Sequence, residues 1–376
     1  MKIDLLTSIV LINTIISGCH SVQKKENLNG GNHEIEVNSK YEYSGLPVKN
    51  ICILDENIDL VGTISSCDFI DESHYVVATV NPASIFIYTL KGEQIREIKK
   101  TGSGPFEYIN PSIVRGYNKK IYVWCSQQLK LTVYDMEGNG IKEYAFFDKA
   151  IKSFELWEDY VIMYVSGGYR DNFIKIFDLE KEQEVFAAGE KTNEHIMLSL
   201  MYMSGGLSIS NDTAYYGIPD KLLLKKINLR NFTEELFITL KDRDFFVTPV
   251  TEEPMDIINK KRDKAIDYVG KNSIVMGVFV TSKHIIMKTE IGEFINKGNY
   301  YDQSKRHNKF YYFDKMTSEL IFTVKSPMES NNNSLYMSNK DGLYHIREDI
   351  NKEDMRYELL KIDDDVVLSS LHTISQ

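Results

Sequence analysis

Leu131-Thr132-Val133-Tyr134-Asp135-Met136-Glu137-Gly138 decides the fold. A short run rich in β-branched and aromatic residues stops at Asp-x-x-Gly, which reads as a strand entering a tight turn. The pattern recurs at Ile85-Phe86-Ile87-Tyr88-Thr89-Leu90-Lys91-Gly92-Glu93, at Phe173-Ile174-Lys175-Ile176-Phe177-Asp178-Leu179-Glu180, at Leu224-Lys225-Lys226-Ile227-Asn228-Leu229-Arg230 and at Lys309-Phe310-Tyr311-Tyr312-Phe313-Asp314-Lys315. A degenerate copy centres on Ile346. With Tyr88, Tyr134, Phe177, Ile227 and Phe313 as equivalents, the steps are 46, 43, 50 and 86 residues.

Each unit also has an upstream pair of strands, as at Ser112-Ile113-Val114 and Lys120-Ile121-Tyr122-Val123-Trp124-Cys125. Repeats of roughly 40–50 residues with four short strands each are the signature of propeller blades. Sandwich strands lack a period of this length, and β-helix coils are much shorter. The prediction is an all-β, six-bladed β-propeller with four-stranded antiparallel blades over residues 60 to 365, the long step being one blade plus an insertion. Asn50-Ile51-Cys52-Ile53-Leu54 is expected to pair into the last blade, which closes the ring and removes an exposed sheet edge.

The insertion lies between the fourth and fifth blades. Residues 253–270, with Pro254, early acids, apolar Met255, Ile258, Ala265, Ile266 and Val269 and a closing Gly270, read as a capped amphipathic helix. The short turns all join first to second or third to fourth strands. The long connections 100–111, 187–206, 241–273 and 292–309 join the others, so they share one face. Loops of that length are uncommon unless functional or disordered. They and the blade 3 region supply the candidate ligand contacts Arg170, His195, Tyr301, Asp302, Arg306 and His307, Tyr and Arg being frequent in recognition surfaces.

The chain carries a net charge of −10. That argues against a nucleic-acid or anionic-membrane binder, both of which need clustered Lys and Arg. Beyond Cys19 the cysteines are Cys52, Cys67 and Cys125. Their spacing matches no zinc motif, and they read as small buried hydrophobes, with a Cys52–Cys67 bridge as the alternative.

Met1-Lys2, an apolar run from Leu5 to Ile16 and Ile16-Ser17-Gly18-Cys19 describe a secretory signal peptide too short to span a bilayer. Its ending resembles the bacterial lipobox, which implies lipidation of Cys19. The expected organisation is a lipoprotein signal peptide at 1–18, lipidated Cys and flexible tether at 19–40, and the propeller at 41–376. The tether is polar and rich in Gly, Asn and Lys, without enough apolar surface to offset its ordering entropy. The expected location is the bacterial cell envelope, lipid-anchored on the outer membrane at its periplasmic or surface face.

Between the first two blades stands Thr101-Gly102-Ser103-Gly104-Pro105-Phe106-Glu107-Tyr108. It resembles the Gly-x-Gly-Pro-Gly-Glu-Tyr/Phe signature of the six-bladed propeller lipoproteins of Bacteroidetes, relatives of NHL- and TolB-type propellers. Phe106 departs from the third glycine, so a differently shaped turn is expected. Glu107 reads as a backbone cap of this turn; with Tyr108 it completes the set of candidate ligand contacts. The resemblance implies fold and location and transfers no catalytic residue.

The function expected is a binding or scaffold module for a glycan, a peptide or another envelope protein, anchored to the membrane by lipid and needing no cofactor. The alternative is a propeller hydrolase or lyase at the channel mouth, assisted by a divalent metal. It calls for three or more His, Asp or Glu side chains converging there. The sequence has no HExxH, Gly-x-Ser-x-Gly or sialidase-type Asp box.

Overall fold

The computed structural model describes residues 34–37, 42–54, 63–145, 151–166, 171–201, 205–292, 295–296, 301–302, 306–327, 335–348, 357–366 and 368–369. The expected signal peptide, Cys19, most of the expected tether and Arg170 lie outside them.

The chain folds as a six-bladed β-propeller of four-stranded antiparallel blades. The blades occupy residues 63–98, 111–144, 151–188, 207–241, 274–327 and 335–362, and the last takes its fourth strand from Val48–Ile53. Each blade's first strand contacts the first strands of both neighbouring blades, so six strands ring a central channel. They are Thr63–Phe69, Pro111–Tyr117, Ile151–Trp157, Leu207–Ser210, Ile274–Val280 and Leu335–Asn339.

The repeated strands are buried on both faces, which is why they read as near-continuous apolar runs. Along Ser84–Thr89, Ile85 and Ile87 pack toward the second blade, while Phe86 and Tyr88 pack toward the sixth. Along Lys120–Cys125, Ile121, Val123 and Cys125 meet the first blade, and Tyr122 and Trp124 meet the third. Period-two alternation thus feeds two inter-blade cores from one strand. The recurring Asp is the turn itself: Asp135 Oδ1 accepts from Asn139 N at 2.7 Å, Asp178 Oδ1 from Lys181 N at 2.9 Å, and Asp314 Oδ1 from Thr317 N at 2.8 Å.

Tyr88, Tyr134, Phe177, Ile227 and Phe313 all lie on third strands, so the repeat is in register through five blades. The sixth copy is not: Ile346 sits on the second strand, Gly342–Glu348, and the equivalent third strand is Tyr357–Ile362. Leu343, Tyr344 and Ile346 mimic the repeat because that second strand is also buried on both faces.

Upstream of the closing strand the chain runs along the outside of the ring. Glu34–Glu36 pairs in parallel with Thr239–Lys241 on the fourth blade, and Glu42–Ser44 with Thr323–Lys325 on the fifth. Val48–Ile53 then pairs antiparallel with Tyr357–Ile362, as the closure prediction requires. Pairing therefore begins inside the stretch assigned to the tether. Lys309, 2% exposed, fastens this strap: its Nζ lies 2.8 Å from both Glu42 and Asp242 and 3.7 Å from Asp244. Tyr311 donates to Asp242 at 3.0 Å.

The insertion before the fifth blade is helical, in two pieces: α1 (Pro254–Lys260) and α2 (Arg262–Lys271), broken at Lys261. Pro254 opens the first as expected, but Ile257 rather than Met255 is the buried anchor. A further helix, Asn193–Met201, lies between the third and fourth blades and packs against both insertion helices. Its apolar residues cluster rather than recur at a helical period, so the sequence hides it.

In the Gly102–Tyr108 turn, Phe106 takes φ +54, the left-handed region that the missing glycine would enter freely. Phe106 thus holds a backbone conformation that a glycine favours. Neighbours hold it there: Phe106 N donates to Glu143 Oε1 at 2.9 Å, and Tyr134 donates to Phe106 O at 2.9 Å. The Phe106 ring occupies the space where a Gly140 side chain would start, with only 2.2 Å to an added Cβ. Gly140→Ala should therefore cost about 1–3 kcal/mol, the usual penalty for overpacking. In a Phe106→Gly background the penalty should largely vanish, which a double-mutant cycle of denaturation midpoints would read.

Candidate functional site

The innermost strands enclose a channel of about 1020 Å³. Polar side chains reach its lining because alternate first-strand residues face the hole rather than a neighbouring blade, and apolar ones such as Met276 and Phe279 share it. Three blades meet there at Arg115. Its Nε lies 2.9 Å from Glu155 Oε1, one terminal nitrogen donates to Ser153 Oγ at 3.0 Å, and the other to Val114 O at 2.8 Å. Asp68 accepts from Gly116 N at 2.9 Å and lies in the field of the same guanidinium. Burial pushes the Asp68 and Glu155 carboxyls up, and Arg115 opposes the rise. Beside them Lys152 lines the channel with no acidic partner among the described residues, and burial pulls its ammonium pKa down.

At the fifth blade the channel deepens radially. In the other five blades only the first strand and its flanks reach the lining; here Lys288 and Glu290 of the second strand and Arg306 and Asn308 near the third do so as well. Gly277 faces Lys288 across the ladder and leaves the first strand without a side chain there. Arg306, 3% exposed, reaches Glu290 at 3.1 Å and donates to the carbonyls of Val269, Gly270 and Asn272 where α2 ends. That is the usual place for a cation on a helix dipole.

The candidates chosen from the sequence scatter. Arg306 alone lines the channel. Glu107 caps its own turn, accepting from Gly104 N at 2.7 Å, as the structural reading of that residue has it. Tyr108 is buried and donates to Ile98 O. His195, 0% exposed, lies between the third and fourth blades with its ring 4.5 Å from Phe173 and 6.2 Å from Tyr164. Neither ring nitrogen has a hydrogen-bond partner, and burial with nearby Lys191 and Lys221 pushes its pKa down to about 3. His307 is half-buried beside Arg306, its pKa also lowered by burial. Tyr301 and Asp302 form a two-residue strand paired with Ile295–Asn296, in the fifth blade's second-to-third connection. Cys52, Cys67 and Cys125 are free thiols.

Asp68, Arg115, Lys152, Glu155, Lys288 and Asn308 escaped the sequence reading. The available signal was a charged residue in the middle of a first strand, as in Lys152-Ser153-Phe154-Glu155. Among the described residues, no three His, Cys, Asp or Glu side chains are placed to hold a metal ion, and no helix is long and apolar enough to cross a membrane.

The sequence profile of the DUF5128 family, described as a 6-bladed beta-propeller, matches residues 54–233. A member of the DUF4221 family from Bacteroides vulgatus superposes with a TM-score of 0.60 at 13% identity, over 85% of this chain and 99% of that one. A putative exported protein from Bacteroides fragilis superposes with a TM-score of 0.57 at 13% identity, over 86% and 99%. Both likenesses are of fold alone. No curated protein matches the chain.

Proposed function

We propose that this propeller is an exported, lipid-anchored binding module whose channel and long-loop face receive a ligand in the cell envelope. The observation that carries it is the channel: an open cavity of mixed polar and apolar lining, walled by all six blades, with a deep recess in one of them. Cavities of this kind, with a few convergent polar groups, are the usual form of a ligand site. The helices and the paired strands Ile295–Asn296 and Tyr301–Asp302 sit on connections that share one face, giving that end of the channel a built rim. The hydrolase or lyase reading calls for convergent, unengaged acids; Asp68, Glu155 and Glu290 instead each sit in the field of a guanidinium. The anchor rests on the signal anatomy and Cys19, and the export reading draws on the likeness to the putative exported protein.

Two measurements test the proposal. The full-length chain should capture a component of envelope extract or of a glycan panel, and Ser208→Trp, which puts a large side chain into the channel, should abolish capture without lowering the melting temperature. Capture that ignores the obstruction would place binding elsewhere. Cys19→Ala should move the protein from the membrane to the soluble fraction and end incorporation of labelled palmitate; unchanged membrane association would remove the anchor. The expected difference is large because a doubly acylated cysteine holds a membrane stably and an unlipidated one does not.

A further inference from the structure

The channel's charge runs against that of the chain. The protein is acidic, at −10, yet among the described residues the channel lining holds Arg115, Lys152, Lys288, Arg306 and Lys315 against Asp68, Glu155 and Glu290, with Lys340 at the mouth paired to Glu72. Burial acts on Asp68 and Glu155 in the direction that weakens their negative charge. Lys315 is held by Ser210 Oγ at 2.5 Å and Thr281 O at 3.2 Å, with no carboxylate in the arrangement. A cation excess inside a low-dielectric wall is costly unless an anion answers it.

The fifth-blade recess adds a second, independent observation. Asn308 is 5% exposed and lines the recess, and its Oδ1 has no hydrogen-bond partner. A buried acceptor left unmet costs about 1–3 kcal/mol, so native proteins rarely keep one without a use. Lys288 stands 5.1 Å over the Tyr336 ring and 4.0 Å from Glu290. The recess thus presents a cation for an anionic group and two acceptors, Asn308 Oδ1 and Glu290, for O–H donors. A phosphate carries few donors at neutral pH, and its double charge would face Glu290 directly. A singly charged carboxylate on a hydroxyl-bearing frame supplies both kinds of group. Along the wall, the hydroxyls of Ser208, Ser282 and Ser338 can each donate and accept, which suits an alcohol-rich ligand.

We propose that the recess and channel bind a carboxylate-bearing saccharide, with Lys288 taking the carboxylate and Asn308 a sugar hydroxyl. This deepens the binding-module reading and rests on it. The test is calorimetry on the full-length chain in detergent, with trigalacturonate, its carboxyl-reduced neutral counterpart and triglutamate as the three probes. Trigalacturonate should bind, the neutral trimer at least tenfold more weakly. Lys288→Met keeps the stem over Tyr336 and removes the charge; Asn308→Asp keeps the shape and adds a repelling charge. Each should weaken trigalacturonate binding at least tenfold with the melting temperature held. No binding of trigalacturonate, or binding that both substitutions leave unchanged, overturns the assignment. Binding of the neutral trimer or of triglutamate in its place also overturns it while leaving the binding-module reading standing, which fails separately if the chain captures nothing from extract or panel.

Discussion

Replacing Lys309 by methionine should cost about 3–5 kcal/mol, the usual effect of removing one member of a buried ion pair. The ammonium sits between Glu42 and Asp242 with Asp244 beyond, and Tyr311 adds a hydrogen bond to Asp242. Methionine fills the volume and leaves Asp242 buried without its cation. For a domain of this size the thermal midpoint should fall by about 4–7 °C. Lys309→Met with Asp242→Asn should recover part of the loss, because the neutral amide can stay buried next to Tyr311 without a counter-charge. A midpoint within 1–2 °C of the wild type would show that the cluster is solvated and adds nothing. Glu42 belongs to the strap, so amide exchange in Glu42–Ser44 should accelerate more than in strands remote from it.

The second large effect is a loss of stability in acid, traceable to His195. In the fold its pKa is pushed down to about 3, whereas an unfolded histidine titrates near 6.5. The unfolded chain therefore takes up a proton that the folded chain refuses. Stability from this group is complete above pH 6.5 and is lost as the pH falls toward 3, by about 1.4 kcal/mol per unit and about 3 kcal/mol by pH 4.5. Asp68 and Glu155 work in the opposite direction: burial raises their carboxyl pKa values, so their contribution improves as the pH falls. The measurement that isolates His195 is the difference between wild type and His195→Phe, a substitution that keeps an aromatic ring against Tyr164 and Phe173. That difference should be flat above pH 6.5 and steepen below it. Parallel curves from pH 8 to 4 would mean that water or a partner reaches the imidazole.

The fold was legible because its signals are local. Tyr134-Asp135 and Phe313-Asp314 mark strand ends through side-chain capping that involves only the next few residues. The alternation in Ile85-Phe86-Ile87-Tyr88 reports burial on two sides. The channel site was much less legible. It draws single residues from first strands far apart in the chain, and nothing in the spacing of Asp68, Arg115 and Glu155 says that they meet. Choosing charged or aromatic residues from long connections favoured His195, which packing has taken into a core, and passed over Lys152 and Lys288, which sit in strands. Arg306 was found because it lies where connection and strand meet.

The strap also fixes an order of events during synthesis. Glu34–Ile53 leaves the ribosome before any of its partners exist. Glu34 must wait for Thr239, Glu42 for Thr323, and Val48 for Ile362. The first-made strands are thus the last to be paired, and no chain cut short of the sixth blade can finish its ring. Contacts this distant in sequence form slowly, so the ring stays open until the chain is nearly complete.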